Sequence, residues 1–558
     1  MLKRIATTLL LCWPLLALGQ TTIEITDADI DGDVVWTADN EYVLVGRVFV
    51  EEGETLTIEP GTVVKGRFNA DPAQAAALIV ARGGMIFAEG TRTNPIVFTA
   101  ESDDVSDPTD LGPTDRGLWG GVILLGRASI NTTDGEGEIE GIPVTEGRGA
   151  YGGGSAPDDA DNSGVLRYVS IRHGGAALAP GDEINGLTFG AVGSATTVEF
   201  VEVLSNDDDC FEWFGGTVDT RYLVGAFCSD DTFDYDEGFR GRHQFWFSLQ
   251  SDDDAGSAGE HDGGTDPEDG TPFSQPVIYN ATYIGPGIGS GLTDAAVNIR
   301  DNAGAQYFNS IFTGFEDVAL RIEDLGSGED SFARFEAGEL AFSNNIFFDF
   351  GAGSSASDLF VVTDSDGNVQ ASPSSAFVTA LTGASNAIVD PQLVGISRTT
   401  DGGLDPRPAA GSPALTSPVA SYPGAFFEPV TFIGAFADDL WIAGWTALSE
   451  LGVLDDQNTP TDIEVLDDEV PARIALRQNY PNPFNPVTTI EFAVEQAQPV
   501  RLSVYDLLGR EVAVLADGMQ PAGTFRVPFD ASDLASGLYL YRLQTPTGTL
   551  TKRMMLVK

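Results

Sequence analysis

Lysine, histidine and cysteine are scarce in this chain of 558 residues. The four lysines are Lys3, Lys65, Lys552 and Lys558. The stretch between residues 66 and 551 therefore offers no lysine for a phosphate-binding loop, a Schiff base or general base catalysis. The three histidines stand apart in sequence, without the spacing of a zinc cluster or a catalytic triad. These absences exclude several common classes of active site.

Long apolar runs are missing beyond the N-terminus. Lys3 and Arg4 precede an apolar stretch from Leu9 to Leu18, which predicts a signal peptide over residues 1–19, cut after Gly19. Cys12 lies within that stretch and lacks the small residues of a lipoprotein cleavage box before it, so we expect no lipid anchor. No later run approaches the roughly 20 apolar residues of a membrane helix. The sequence predicts an exported mature chain without a transmembrane segment.

Positive charge is also in short supply. The chain has 84 acidic and 29 basic residues, a formal net charge of −55. Such a surface repels nucleic acid and anionic lipid, and its self-repulsion weakens the fold until counterions screen it. We therefore expect no nucleic-acid partner, and the pattern is typical of halophilic proteins.

Two cysteines, Cys210 and Cys228, remain after the predicted signal peptide. In an exported protein two cysteines favour a disulfide, and two separate free thiols are the alternative.

The C-terminal residues 474–558 carry the pattern of a small β-sandwich. Apolar and polar residues alternate in Thr489–Val494, Val500–Tyr505 and Leu538–Leu543, the period of half-buried strands. Glycine-containing pairs between such runs suit turns. An acidic linker over residues 451–473 is predicted to precede this domain.

A proline- and asparagine-rich motif opens the domain: Tyr480, Pro481, Asn482, Pro483, Phe484, Asn485 and Pro486. Together with Val504–Arg510, Leu534–Tyr539 and the basic Thr551–Met554, it resembles the type A C-terminal sorting domain of type IX secretion substrates in Bacteroidetes-like bacteria. The resemblance implies that the type IX secretion machinery is a partner and that the protein is secreted or attached to the outer-membrane surface. An immunoglobulin-like stability module without a sorting role is the alternative.

The main body, residues 20–450, is predicted to be all-β because short β-branched and aromatic runs alternate with glycine-rich turns. An internal repeat stands out: Asp208–Gly216 can be laid over Asp230–Gly238 at a constant offset of 22 residues. A repeat of this length is typical of one turn of a parallel β-helix, in which equivalent residues stack at about 4.8 Å. The sequence thus predicts a parallel β-helix followed by a β-sandwich.

Several segments of the body are similar to a family of right-handed, pectate-lyase-like β-helix surface proteins. They are Val48–Val50, Leu56–Gly66, Leu118–Ala128, Arg167–Arg172, Glu183–Thr188, Leu404–Leu415 and Phe432–Thr446, the last of which resembles the family's closing segment. This resemblance implies a fold and a surface location, and it implies no particular reaction.

Stacked acids in the repeat predict a metal site. The residues are Asp208, Asp209, Glu212, Asp230, Asp231, Asp234 and Asp236. Like charges one strand spacing apart repel unless a cation, protons or water screens them, and several hard oxygen ligands suit calcium. Two alternatives stay open, a solvated acidic ladder and a pair of carboxylates acting as glycosidase acid and base.

Aromatic residues suggest a second function class, since exposed rings stack on sugars. Trp119, Trp213, Tyr222, Tyr235 and Trp246 would serve if several shared one groove, although in a β-helix such residues more often fill the interior. We expect a structural or adhesive role, with surface polysaccharide as a candidate partner and no assigned catalytic residue. A polysaccharide lyase or glycoside hydrolase on the same scaffold is the alternative, but Arg172-His173-Gly174 precedes Asp208-Asp209, the reverse of the polygalacturonase order.

Overall fold

The structure is a computed structural model that describes residues 21–71, 74–176, 184–264, 267–326, 329–454, 464–467, 474–479, 482, 484, 487–494, 498–505, 510–520, 523–531, 534, 536–545 and 548–558. The predicted signal peptide lies outside the described residues. So does most of the predicted linker. Among the described residues, no helix combines the length and the apolar character needed to cross a bilayer.

The body is a parallel β-helix built from two long parallel sheets, as predicted. Sheet A has 18 strands: β1 (Thr21–Ile25), β2 (Asp33–Trp36), β3 (Asn40–Leu44), β5 (Thr55–Ile58), β6 (Val63–Gly66), β8 (Met85–Glu89), β9 (Ile96–Ala100), β13 (Gly164–Arg172), β15 (Thr197–Leu204), β17 (Thr220–Ala226), β19 (Arg242–Leu249), β21 (Val277–Tyr279), β22 (Thr282–Ile284), β24 (Gln306–Phe308), β25 (Ile311–Phe315), β27 (Ala341–Ser343), β28 (Ile346–Phe350) and β30 (Ala387–Ile388). Sheet B has 10 strands: β4 (Arg47–Val50), β7 (Ala77–Val80), β10 (Val122–Leu125), β14 (Leu187–Gly190), β16 (Phe211–Phe214), β18 (Phe233–Asp236), β20 (Gly259–Asp262), β23 (Val297–Arg300), β26 (Leu320–Glu323) and β29 (Phe360–Thr363).

The 22-residue offset is the true register of two neighbouring coils. Strand β16 pairs with β18 so that Phe211 lies beside Phe233 and Glu212 beside Asp234. Apolar residues of each strand point inward and acids point outward, because successive side chains of a strand face opposite sides. One repeat therefore builds both a core and a charged outer row.

One corner of the coil is fixed by left-handed backbone. At this corner the chain bends within a coil, inside a sheet A strand or between two consecutive ones, and the residue there has a positive φ in each of seven coils: Tyr168, Phe200, Tyr222, Phe245, Asn280, Asn309 and Asn344. Asparagine tolerates this conformation through local hydrogen bonds, whereas an aromatic side chain has to be held there by packing.

A segment that we call the strap, residues 417–450, runs along this corner back toward earlier coils. The Asn344 amide donates to the Pro418 carbonyl over 3.0 Å, and Ala420 N–H donates to Asn309 Oδ1 over 2.6 Å. At the other end, the Trp445 ring packs edge-on against Tyr168 with centroids 5.6 Å apart. The strap therefore ties together coils that are distant in sequence.

The remaining body elements are short. Strands β11 (Gly137–Glu138) and β12 (Ala150–Tyr151) pair as an antiparallel hairpin in an insertion over sheet B, and β31 (Leu393–Ile396) pairs with β32 (Leu404–Pro408). The described residues form the α-helices α1 (Ser331–Ala337), α2 (Ala356–Leu359), α3 (Ala371–Gly383), α4 (Pro413–Thr416) and α5 (Ala447–Glu450).

The C-terminal region folds as two four-stranded antiparallel sheets around one apolar core. Its strands are β33 (Glu464–Asp467), β34 (Ala475–Leu476), β35 (Val487–Val494), β36 (Gln498–Tyr505), β37 (Glu511–Gln520), β38 (Gly523–Asp530), β39 (Gly537–Thr545) and β40 (Gly548–Leu556). Strand β33 lies in the segment predicted as linker, yet it pairs with β38 and extends one of the sheets.

Candidate metal centre

The outer face of sheet B carries a row of acids, which we call the acidic row. Glu212 on β16, Asp234 on β18 and Glu260 on β20 occupy equivalent positions on adjacent strands. The preceding strand β14 places Thr188 at this position, so the charge begins at Glu212. The register of the coils alone thus brings these carboxylates to one strand spacing.

The turns before β16 and β18 add a second group of acids. Asp209 is 6% exposed and its Oδ1 accepts a hydrogen bond of 2.8 Å from Asp231 N–H. Asp231 is 5% exposed and accepts from Ser257 N–H in the next coil. The carboxylates of Asp209 and Asp231 each accept a hydrogen bond from the coil that follows. Asp208 and Asp230 lie closer to solvent.

These groups surround one cavity of about 240 Å³, which we call the carboxylate cavity. It is lined by Glu140, Asn185, Asp208, Asp209, Glu212, Asp230, Asp231, Asp234 and Glu260. Every lining residue except Asn185 is an acid. The lining residues Asn185, Asp209, Glu212 and Asp231 are buried, whereas Glu140 and Asp230 are exposed at the rim.

Ligand oxygens in this cavity lie close enough to share an ion. Asp208, Asp209 and Asp230 each offer an oxygen within 4.8 Å of the other two, and Asp209, Glu212 and Asp234 form a second such set. Two oxygens on one calcium ion lie at most twice the Ca–O distance apart, about 4.6–5.2 Å. Both sets fit within that limit, and they share Asp209.

Burial and mutual repulsion disfavour the ionised forms of these acids. Burial is the main cause that raises the pKa of Asp209, Glu212, Asp231 and Asp234 well above its ordinary value, and neighbouring carboxylates raise it further. Among the neighbouring carboxylates, Glu260 contributes most to the raised pKa of both Asp231 and Asp234. A cation in the cavity would lower these pKa values, because it favours the charged form of each carboxylate.

Three residues that line the carboxylate cavity were not predicted from the sequence. Asn185, 1% exposed, donates its amide to Glu140 Oε1 over 3.0 Å and also to Glu212. Glu260 extends the acidic row by one coil, and the strand after β18 could have suggested it. Glu140 comes from the insertion over sheet B, and no local pattern points from there to the cavity.

Asp236 does not line the cavity, although the sequence grouped it with the others. Its Oδ1 accepts from Glu237 N–H, and burial raises its pKa. On the neighbouring strands, Arg300 binds Asp262, with its Nε 3.1 Å from Oδ2. Asp236 therefore belongs to a second outward row that already contains an arginine.

The predicted disulfide is confirmed. Cys210 and Cys228 are bonded, with their Cα atoms 5.6 Å apart, and both side chains are buried. Cys210 follows Asp209 directly in sequence, and Cys228 lies three residues before Asp231.

The aromatic residues suggested for sugar stacking do not form an exposed strip. Trp119, Trp213, Tyr235 and Trp246 are at most 1% exposed. Trp213 stacks on Trp246 inside the coil with ring centroids 5.3 Å apart. Tyr222 is half-buried at the corner, where the strap residue Trp441 packs edge-on against it at 5.2 Å.

The three histidines, which stand apart in sequence, are all buried in the structure. His261 Nε2 lies 2.7 Å from the Tyr307 hydroxyl inside the coil, and burial lowers the pKa of His261 to about 3. His243 lies 2.9 Å from Thr220 Oγ1. His173 Nδ1 lies 2.6 Å from the Asp115 carbonyl at the edge of a coil.

Two residues of the sorting motif are described by the structure. Phe484 is buried in the sandwich core, and Asn482 Oδ1 accepts a hydrogen bond of 2.9 Å from Met555 N–H on the last strand. Tyr480, Pro481, Pro483, Asn485 and Pro486 lie outside the described residues.

Comparison with known proteins agrees with this architecture. Residues 28–388 match the pectate-lyase-like β-helix domain, and residues 478–558 match the secretion system C-terminal sorting domain. No curated protein and no solved structure matches the chain. The sorting domain indicates export through the type IX secretion system to the cell surface or the medium. The chain belongs to the family of pectate-lyase-like β-helix domain proteins and carries a type IX secretion sorting domain at its C-terminus.

Proposed function

We propose that this protein is a structural and adhesive β-helix displayed outside the cell, in which the carboxylate cavity binds calcium and braces neighbouring coils. The observation that carries this proposal is the pair of ligand sets whose oxygens lie within 4.8 Å of one another, with Asp209 in both. A site of this kind holds one ion or two. Calcium is the ion that suits many hard oxygen ligands on irregular turns.

A further feature of Asp234 supports a cation. Its Oδ1 is buried from solvent and accepts no hydrogen bond from the described residues, although it lines the cavity. An ionised oxygen in that position is costly without a positive partner. A bound cation would satisfy it and would also offset the repulsion from Glu212 and Glu260.

The placement of the cavity favours bracing over catalysis. Its ligands come from successive coils, so an ion there links Asp208 and Asp209 of one coil to Asp230 and Asp234 of the next. The lyase or hydrolase alternative rests on fold alone, which is no warrant for activity. Glycan stacking draws no support from the buried tryptophans. A rigid rod held to the cell surface is the role that remains best supported.

The test is thermal melting of the full chain in high sodium chloride, first with a chelator and then with millimolar calcium. Salt is held constant so that general screening cannot pass for binding. An ion that binds only the folded state at about 100 times its dissociation constant adds about 2.7 kcal/mol of stability. We expect a large rise in melting temperature with calcium that disappears in the double variant Asp209→Asn/Asp231→Asn.

A matched control variant removes two carboxylates that lie outside the cavity. The variant Asp252→Asn/Asp254→Asn changes two exposed acids outside the cavity and should keep the full calcium response. If wild type shows no calcium response, or if both double variants lose it equally, the carboxylate cavity is not the calcium site.

A further inference from the structure

The disulfide joins the two turns that bring Asp208, Asp209, Asp230 and Asp231 to the cavity. Cys210 directly follows Asp209, and Cys228 lies two residues before Asp230. Residues 206–210 and 228–232, which we call the first and second ligand turns, are therefore linked covalently at the point where their acids meet. Both cysteines point away from solvent, with Cys210 fully buried and Cys228 3% exposed.

Hydrogen bonds also hold the two ligand turns in register. Cys210 N–H donates to the Asp231 carbonyl over 3.0 Å, and Ser229 N–H donates to the Asn206 carbonyl over 3.0 Å. A third bond, from Asp231 N–H to Asp209 Oδ1, uses one of the cavity carboxylates itself. These bonds have to resist the repulsion between the stacked acids of the turns.

The acids and the disulfide act in opposite directions on the spacing of the turns. Ionised Asp208 and Asp209 repel Asp230 and Asp231 across the interface between coils, which favours separation. The Sγ–Sγ bond keeps the Cα atoms of Cys210 and Cys228 5.6 Å apart whatever the charge on the acids. A ligand set that is held at its binding distance before the ion arrives binds more tightly, because less ordering is left to do.

We propose that the Cys210–Cys228 disulfide controls the calcium affinity of the carboxylate cavity, so that the oxidised chain binds tightly and the reduced chain binds weakly. This inference rests on the proposed function and adds its regulation. In the reduction step a dithiol transfers two electrons and two protons to the disulfide; the Sγ–Sγ bond breaks, two thiols form, and the dithiol becomes a cyclic disulfide. Since disulfides form outside the reducing cytosol, the site gains its affinity on export.

Thermodynamic linkage gives the proposal a second consequence. If oxidation tightens calcium binding by a given factor, saturating calcium must favour the disulfide over the dithiol by the same factor. Calcium should therefore protect the disulfide from reduction. A disulfide that serves only general stability predicts no such dependence on calcium.

The first experiment is calorimetric titration of calcium into the full chain in high sodium chloride. Oxidised wild type is compared with the variant Cys210→Ala/Cys228→Ala, and circular dichroism confirms that both are folded. We expect the dissociation constant to rise at least tenfold in the variant. Equal dissociation constants, within about threefold, would overturn the inference.

The second experiment keeps the natural sequence and covers the case of a variant that fails to fold. Wild type is equilibrated with mixtures of reduced and oxidised dithiothreitol, with calcium and with chelator, and free thiols are alkylated and counted by mass spectrometry. We expect calcium to shift the midpoint toward more reducing mixtures by the factor found in the titration. A midpoint that calcium does not move overturns the inference.

Different results overturn the calcium site and its control by the disulfide. If oxidised wild type takes up no calcium, both the proposed function and its regulation are wrong. If oxidised and reduced chains bind calcium equally well, the cavity remains a calcium site and only the role of the disulfide is wrong.

Discussion

Two rows of side chains on this β-helix follow the same repeat and have opposite energetics. The aromatic row at the corner consists of Tyr168, Phe200, Tyr222 and Phe245, whose successive ring centroids lie 4.5, 4.3 and 4.8 Å apart. The acidic row on sheet B stacks Glu212, Asp234 and Glu260 through the same coil-to-coil pairing. Stacked rings attract one another, whereas stacked carboxylates repel.

The difference shows that a coil repeat places side chains without regard to their chemistry, so each row needs its own partner. The aromatic row is covered by the strap, whose Trp441 and Trp445 pack edge-on against it. The acidic row opens into the carboxylate cavity, where we propose that calcium has the corresponding role. A covered row depends on packing, and an open acidic row depends on pH and cations.

The largest expected effect comes from removing the cover of the aromatic row. Trp445→Ala removes a ring that is 2% exposed, and truncating a buried tryptophan costs about 3–5 kcal/mol. We expect a lower midpoint of urea unfolding, followed by circular dichroism, with the calcium response unchanged. Phe68→Ala, at a residue 62% exposed, should change little. An unchanged midpoint for Trp445→Ala would mean that the strap is not needed to cover the row.

The acidic row should instead respond to pH. Burial raises the pKa of Glu212 and Asp234 in this row, and of Asp209 and Asp231 beside it, so the folded state holds protons that the unfolded state has lost above about pH 4. Without calcium, stability is then greatest at low pH and falls as pH rises from about 5 to 8, by about 1.4 kcal/mol per pH unit for each extra proton held.

Melting temperatures recorded across that range in chelator would measure this slope. Glu237 and Asp262, buried acids outside the row whose pKa values burial raises to about 7 and about 8, add to the fall within the same range. Calcium should flatten the profile, and Asp209→Asn/Asp231→Asn should flatten it without calcium. Stability that rises with pH in chelator would contradict the assignment.

A smaller effect is expected at the corner positions that are asparagine instead of aromatic, Asn280, Asn309 and Asn344. Asn309 is buried and exchanges hydrogen bonds with Ala420 of the strap through both its oxygen and its amide. Asn309→Gly keeps the left-handed conformation available and removes these bonds, at a cost of about 1–3 kcal/mol. We expect faster amide exchange at Ala420, measured by mass spectrometry, with sheet B unaffected. Unchanged exchange would show that the asparagine side chains do not hold the strap.

The smallest effect should come from one acid of the acidic row. Asp234→Asn preserves shape and removes repulsion from both neighbours, worth about 0.2–1 kcal/mol for like charges on adjacent strands. In chelator the variant should melt slightly higher than wild type, and in calcium it should melt lower because a ligand is lost. Asp252→Asn should show neither change. A variant that is less stable in both conditions would argue that Asp234 has only a packing role.

Much of the fold was predictable because it depends on local patterns that repeat. The alternation in the C-terminal strands, the offset of 22 residues and the two cysteines each led to a feature that the structure contains. The same reasoning missed Glu140 and Asn185, since residues far apart in sequence meet at the cavity only after the coils stack. It also left open whether Trp213 and Trp246 were exposed, because an aromatic run fits either face of a strand.

The sequence by itself determined the architecture, the export route and the stacking of acids on acids, because a fixed repeat on a parallel β-helix dictates which residues lie side by side. Only the tertiary structure decided which other segments of the chain pack against the aromatic row and the acidic row. The insertion that brings Glu140 to the cavity and the strap that covers the aromatic row are irregular segments without a repeat. Their positions follow from the apolar and polar surfaces that the finished coils present, and those surfaces exist only once the chain has folded.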